Sequence, residues 1–278
     1  MLKIDSHQHF WKFDPVRDSW ITEDMAVIQN DFMPANLQPL LLENGFQGCV
    51  TVQSDQSAAH NLFLIKQAQE NSFIKGVVGW VDLQAHDIED QLLQLARFEK
   101  MKGFRHVLQG EAERDFMLRK QFMNGISKLK NCNFTYDILI FPDQLRFIPA
   151  FVSAFPEQKF VIDHIAKPAI KDGKIEDWKK DIEAVAAYEN VWCKISGMVT
   201  EADWKGWKTS HFTPYLDAVT EAFGMERIMF GSDWPVCLVA ASYKKMLFVV
   251  EDHFSAFSTP EQEAFFGGNA TEFYNLKS

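Results

Sequence analysis

Cysteine is scarce in this 278-residue chain: Cys49, Cys132, Cys193 and Cys237 are widely spaced and form no CxxC pair. That argues against a disulfide framework or a zinc knuckle. Cys49 and Cys193, set in apolar strand-like runs, read as small buried hydrophobes. No apolar run approaches the ~18 residues of a membrane span, and the opening MLKIDSHQHF lacks a signal peptide's apolar core. Positive charge is short as well, 28 Lys and Arg against 38 Asp and Glu, a net charge of −10. Nucleic acid and anionic membrane are poor candidates for partners, because either calls for a basic face. Low-complexity tracts, short repeats and Gly/Ser linkers are missing too. The expectation is a single domain over 1–278 in a reducing, cytoplasmic setting.

What is present is alternation. Short apolar runs read as strands at 2–5, 49–53, 76–81, 103–105, 135–140, 159–163, 191–195 and 227–230. Most are rich in Val, Ile or Phe, as strands buried on both faces should be. Amphipathic stretches at 58–70, 88–99, 116–130, 177–188 and 214–223 lie between them. Eight strand–helix units in a 47% hydrophobic chain predict an α/β fold, a single (β/α)8 TIM barrel. A doubly wound open sheet is the alternative, but no GxGxxG follows the first strand. Two additions to a minimal barrel are expected. A long loop at 10–33 carries Trp11, Phe13, Trp20 and Phe32 over the mouth, and a C-terminal helix starts near Pro260.

Chemistry concentrates at strand ends. In Asp5-Ser-His7-Gln-His9 the period of two puts Asp5, His7 and His9 on one face. A bare HxH is as readily a hydrogen-bonded core pair. His164 ends the sixth strand and Asp233 the eighth, where barrel enzymes keep catalytic groups. Four such residues converging from three strand ends are hard to read as packing, so His7, His9, His164 and Asp233 are the candidate catalytic set. Arg105, His106, Trp11, Trp80 and Trp234 are candidate substrate contacts; Arg105 could instead pair with a structural carboxylate, and Trp80 could be core. The role of Lys167 stays open. Asp163, beside His164, should face the other way and be structural. His60, His86, His211 and His253 have no partner spacing and no assigned role.

The chain resembles the amidohydrolase superfamily, in its branch of sugar-lactone and pyrone-dicarboxylate lactonases. The resemblance rests on DSHQHFW (5–11), VVGWVDL (77–83), KGFRH (102–106), VIDHIAKP (161–168), VWCKISGM (191–198), ERIMFGSDWPVC (226–237) and GGNATEFY (267–274), in order along the whole chain. It implies the barrel, hydrolysis of a cyclic ester and a general base of the Asp233 kind. Many superfamily members bridge two metals with a lysine after strand four and add a histidine after strand five. Here strand four ends in Arg105-His106, and strand five, TYDILI, has no histidine, so a two-metal centre is not expected. A single zinc on His7, His9 and Asp233 remains open, and so does metal-free catalysis with the histidines polarising the carbonyl.

A mouth rich in Trp, with few cations beyond Arg105 and Lys167, suits a neutral polyhydroxylated ring better than a dicarboxylate. Aldonolactones such as those of L-fuconate or L-rhamnonate are the expected substrates. The competing readings are a metal-dependent decarboxylase of the same superfamily, a hydrolase of another cyclic ester or amide, and a barrel kept only for binding. Apolar residues on the outer helices could support a homodimer.

Overall fold

A computed structural model describes residues 2–277. Eight parallel strands in sequential order form the wall of a TIM barrel: β1 (Ile4–Gln8), β2 (Gly48–Val52), β3 (Ile74–Gly79), β4 (Met101–His106), β5 (Thr135–Ile138), β6 (Phe160–Ile162), β7 (Val191–Ile195) and β8 (Ile228–Phe230). Helices surround it: α1 (Pro34–Glu43), α2 (Ala58–Glu70), α3 (Ile88–Leu95), α4 (Lys120–Leu129), α5 (Ile148–Ser153), α6 (Glu176–Ala186), α7 (Thr213–Phe223), α8 (Tyr243–Phe254), α9 (Thr259–Glu263) and α10 (Asn269–Phe273). The stretch expected to be helical over 116–130 divides into a 3-10 turn, Phe116–Leu118, and α4. The first strand starts and ends later than its apolar residues suggest, because it runs on through the polar SHQ segment, all of it buried.

Pattern and packing agree along the strands. Leu64, Ile65 and Ala68 of α2 are buried against the wall, and Ser57 caps that helix by accepting from the His60 backbone N–H. Inside the barrel, Ile4, Val50, Val52, Val78, Val161, Trp192 and Met229 form one apolar cluster with Ala270, Phe273, Tyr274 and Leu276. The C-terminal segment thus fills the barrel floor as well as lying against its outside. Exposed apolar side chains on the outer helices are dispersed, with Leu42 on α1, Leu62 on α2, Leu93 on α3 and Phe248 on α8, so none of these faces is singled out for a second copy. All four cysteines are free, three of them buried. Among the described residues no helix is long and apolar enough to cross a membrane.

The seam between β1 and β8 positions the site. It closes at its C-terminal end, where the Asp233 N–H donates to His7 O at 2.8 Å and the His9 N–H donates to Trp234 O at 2.7 Å. Below, the Ser6 hydroxyl donates to Phe230 O and the Ser232 N–H to Asp5 Oδ1. The same hydrogen bonds that complete the wall bring His7, His9 and Asp233 together.

Candidate active site

A cavity of about 220 Å³ opens at the C-terminal ends of the strands, lined by His9, Trp20, Gln53, Ser54, Arg105, Val107, Gln109, Leu139, His164, Lys167, Asp233 and Val236. It has room for a monosaccharide-sized ligand rather than a drug-sized one. At its floor three imidazoles point Nε2 at a single carboxylate oxygen. Asp233 Oδ1 lies 3.3 Å from His9, 3.9 Å from His164 and 4.0 Å from His7.

Two backbone devices produce this convergence. Residues 164–167 all take left-handed φ, 55° at His164, 48° at Ile165, 58° at Ala166 and 50° at Lys167. Such a run costs roughly 1–2 kcal/mol per residue outside glycine. It is held by Lys167 N–H to His164 O at 2.8 Å and by the Trp178 indole donating to Ile165 O at 2.8 Å. Gly197, at φ 62°, lets the backbone pass beneath the His164 ring, where a Cβ would lie 2.6 Å from Nδ1.

The left-handed run overturns the expectation that Asp163 faces away from His164. Alternation fails once the chain leaves the extended region at residue 164, and both side chains are buried at the centre. The Asp163 carboxylate accepts from Arg105 Nη1 through Oδ2 at 3.0 Å, and its Oδ1 lies 3.0 Å from Lys194 Nζ and 3.2 Å from His7 Nδ1. Burial works to raise its pKa, but Lys194, His7 and Arg105 outweigh that and hold the carboxyl well below its usual range. Asp5 is a second correction. The β1–β2 register shifts between Asp5 and Gln8, so Asp5 does not share the His7 face. It bonds Tyr243 of α8 through Oδ2 at 3.2 Å.

Burial pushes the Asp5 carboxyl up to about 6, against hydrogen bonds from Ser232, His7 and Tyr243 that favour the anion. The folded protein therefore keeps a proton between about pH 4 and 6 that the unfolded chain has released. Stability from this group falls as pH rises through that window, by about 3 kcal/mol. Asp5→Asn is expected to melt above the wild type at pH 8, with the gap closing near pH 4. Melting curves at three pH values decide it, and a pH-independent gap would sink the assignment.

The histidine tautomers follow from their partners. Arg105 Nη1 lies 3.2 Å from His7 Nε2 and Lys194 Nζ 3.1 Å from its Nδ1, both of which can only donate, and Asp163 Oδ1, 3.2 Å from Nδ1, is the nearest acceptor. His9 Nδ1 donates to Val52 O at 2.8 Å, leaving a lone pair on Nε2 facing Asp233. His164 Nδ1 lies 2.9 Å from the Ser196 hydroxyl, which can give or take a hydrogen. Burial is the first cause that holds His7 and His164 well below the ordinary histidine value, so both are neutral.

Two acceptors facing each other, His9 Nε2 and Asp233 Oδ1, call for a proton or cation between them. The donor set fits a divalent ion. One atom each from His7, His164 and Asp233 lies within 4.8 Å of the other two, and each histidine's second nitrogen is anchored as metal-bound imidazoles are. This trio contains His164 where the sequence suggested His9.

Of the expected substrate contacts, only Arg105 lines the cavity. Its Nη2 donates to Gln53 O, and its Nε has no partner. Trp80 donates to His106 at 3.2 Å, and His106 bonds Glu111 and stacks on Phe116, between the wall and its helices. Trp11 and Trp234 are buried against Phe32. Strand-end position does not distinguish a side chain entering the mouth from one turned toward the helices. The cavity's tryptophan is Trp20, 42% exposed and set edge-on to Trp11.

Comparison with known proteins agrees with this architecture. An L-fucono-1,5-lactonase of Burkholderia multivorans is 38% identical over 99% of this chain and 96% of its own length. One from Burkholderia ambifaria is 36% identical over the same shares. A crystal structure of a Burkholderia multivorans amidohydrolase with bound zinc, 38% identical, superposes with a TM-score of 0.97 over 100% of both chains. The family description "Amidohydrolase" matches residues 4–276. On barrel, site and sequence together, the chain belongs to the amidohydrolase family.

Proposed function

We propose that this protein hydrolyses the ester of a sugar lactone, with 6-deoxyaldonolactones such as L-fucono- and L-rhamnono-lactone as the substrate class. The observation that carries the reading is the Asp233 carboxylate at the floor of a monosaccharide-sized cavity, ringed by three imidazoles. Lactonases among the relatives support the substrate class.

Asp233 takes a proton from water as its oxygen attacks the lactone carbonyl. Carboxylates are weak bases toward water, so fixed proximity supplies much of the rate. The developing oxyanion needs donors. His7 Nε2 faces the Arg105 guanidinium and His9 presents a lone pair at Nε2, so both serve poorly. His164, whose Ser196 partner can donate to Nδ1, can carry its hydrogen on Nε2, and Arg105 offers a guanidinium beside it. As the tetrahedral centre collapses, the ring C–O bond breaks and Asp233 returns its proton to the departing ring oxygen. In its other tautomer, with the hydrogen on Nδ1 toward Ser196, His164 would instead join His7 and Asp233 in holding a divalent ion, which when bound supplies Lewis-acid polarisation of the carbonyl. The partner is a small molecule, and the expected setting is cytoplasmic.

The test is proton release on a panel of aldonolactones, with a protein-free control for spontaneous opening. Turnover well above the control establishes the lactonase and ranks its sugars. No turnover on any member, with or without added zinc, overturns it in favour of a decarboxylase or another hydrolase. Trp20→Ala should raise KM about tenfold and leave kcat within about threefold, the loss of one stacked aromatic face. An unchanged KM would remove Trp20 from the binding surface.

A further inference from the structure

Lys194 sits in the middle of β7 with its side chain fully buried. A lysine is almost never enclosed like this unless paired. Its Nζ contacts Asp137 Oδ2 at 2.5 Å, Asp163 Oδ1 at 3.0 Å and His7 Nδ1 at 3.1 Å. The Tyr274 hydroxyl, from the segment that fills the barrel floor, donates to the same Asp137 oxygen at 2.7 Å. A continuous polar column therefore runs up the barrel axis, from Tyr274 through Asp137 and Lys194 to Asp163 and His7. Lys194 does not line the cavity and touches no place where a substrate could sit.

We propose that Lys194 is a positioning residue for the reaction inferred above, on which this inference rests. Its ammonium meets His7 Nδ1 directly at 3.1 Å and lies 3.0 Å from Asp163 Oδ1, while Asp163 Oδ2 receives Arg105 Nη1. That arrangement holds the His7 ring in a single tautomer, with Lys194 against Nδ1 and Arg105 Nη1 against Nε2. Tyr274 and Asp137 hold the lysine from below. The alternative, that Lys194 only balances the charge of two buried carboxylates, makes a different prediction. On that view any charge-neutral replacement serves as well.

Two variants separate these roles. Lys194→Met removes the ammonium and leaves Asp137 without its cation. Lys194→Met with Asp137→Asn removes the ammonium and one carboxylate together, so the charge stays balanced and the fold is protected if the single variant does not fold. The double variant is expected to recover most of the wild-type Tm yet keep kcat at least 100-fold down, with KM within about threefold. Nitrogen-15 NMR of the imidazoles should show a single His7 tautomer as the signature of the wild type and a mixture of the two in the double variant. A double variant that regains both Tm and kcat, or one that keeps a single His7 tautomer, overturns the proposal. If the wild type itself opens no lactone, the lactonase reading fails, and the His7 signature alone then decides the role of Lys194.

Discussion

Asp233→Asn should lower kcat about 10³-fold while leaving KM nearly unchanged, the size expected when a positioned general base is removed. The substitution is a clean one for backbone reasons. Asp233 sits at φ 55°, a conformation asparagine tolerates better than other replacements that carry a side chain. Its backbone N–H, which closes the seam onto His7 O, is kept. The melting temperature should therefore stay within about 2 °C, in line with a change that breaks no buried pair. Steady-state kinetics on the best lactone, beside a thermal melt, are the measurement. Turnover within tenfold of wild type would remove Asp233 as the base and move attention to the lone pair of His9.

Asp163→Ala is expected to be the most damaging single change to stability. It leaves the Arg105 guanidinium and the Lys194 ammonium facing each other in the barrel, both buried, with Asp137 as the remaining nearby anion. Breaking a buried pair from one side costs about 3–5 kcal/mol, or about 10 °C in Tm for a chain of this length. The pH dependence has a definite sign. Asp163 is held below the usual carboxylate range in the folded state, so its stabilisation is fully present above the unfolded value near pH 4. It is lost as pH falls through the lower folded value. The difference between wild type and variant should be flat from pH 8 to about pH 4 and shrink below that. A variant as stable as the wild type at neutral pH would show that the two cations find other partners.

The barrel was readable because each strand carries a short apolar core and each helix an apolar stripe. The order of the resulting elements leaves few topologies. His7, His9, His164 and Asp233 were readable for a related reason, since polar residues just past an apolar run stand out. The residues beneath them did not stand out in the same way. Lys194 lies inside VWCKIS and Asp137 inside TYDILI, within strands recognised by their hydrophobicity. The signal was present all the same. A charge inside a strand buried on both faces must have a partner, and the two strands each supply one of opposite sign. Asp163 was misplaced because alternation assumes extended backbone, and the left-handed turn from His164 is set by tertiary contacts such as that of Trp178. The tryptophans failed differently, since their sequence positions said nothing about which way they turn.

The tail that fills the barrel floor also bears on how the protein is made. Tyr274, Phe273 and Leu276 meet Ile4 and Val50 in one cluster, so the earliest segment translated waits for one of the latest. Until residues near 274 emerge, Asp137 lacks its phenolic partner and the first strand lacks its floor. A ribosome-bound chain stalled before that point should thus be protease-sensitive along β1 and should not bind ligand, and both properties should change together on release. Vectorial synthesis delivers the histidines of the first strand early and the floor beneath them last.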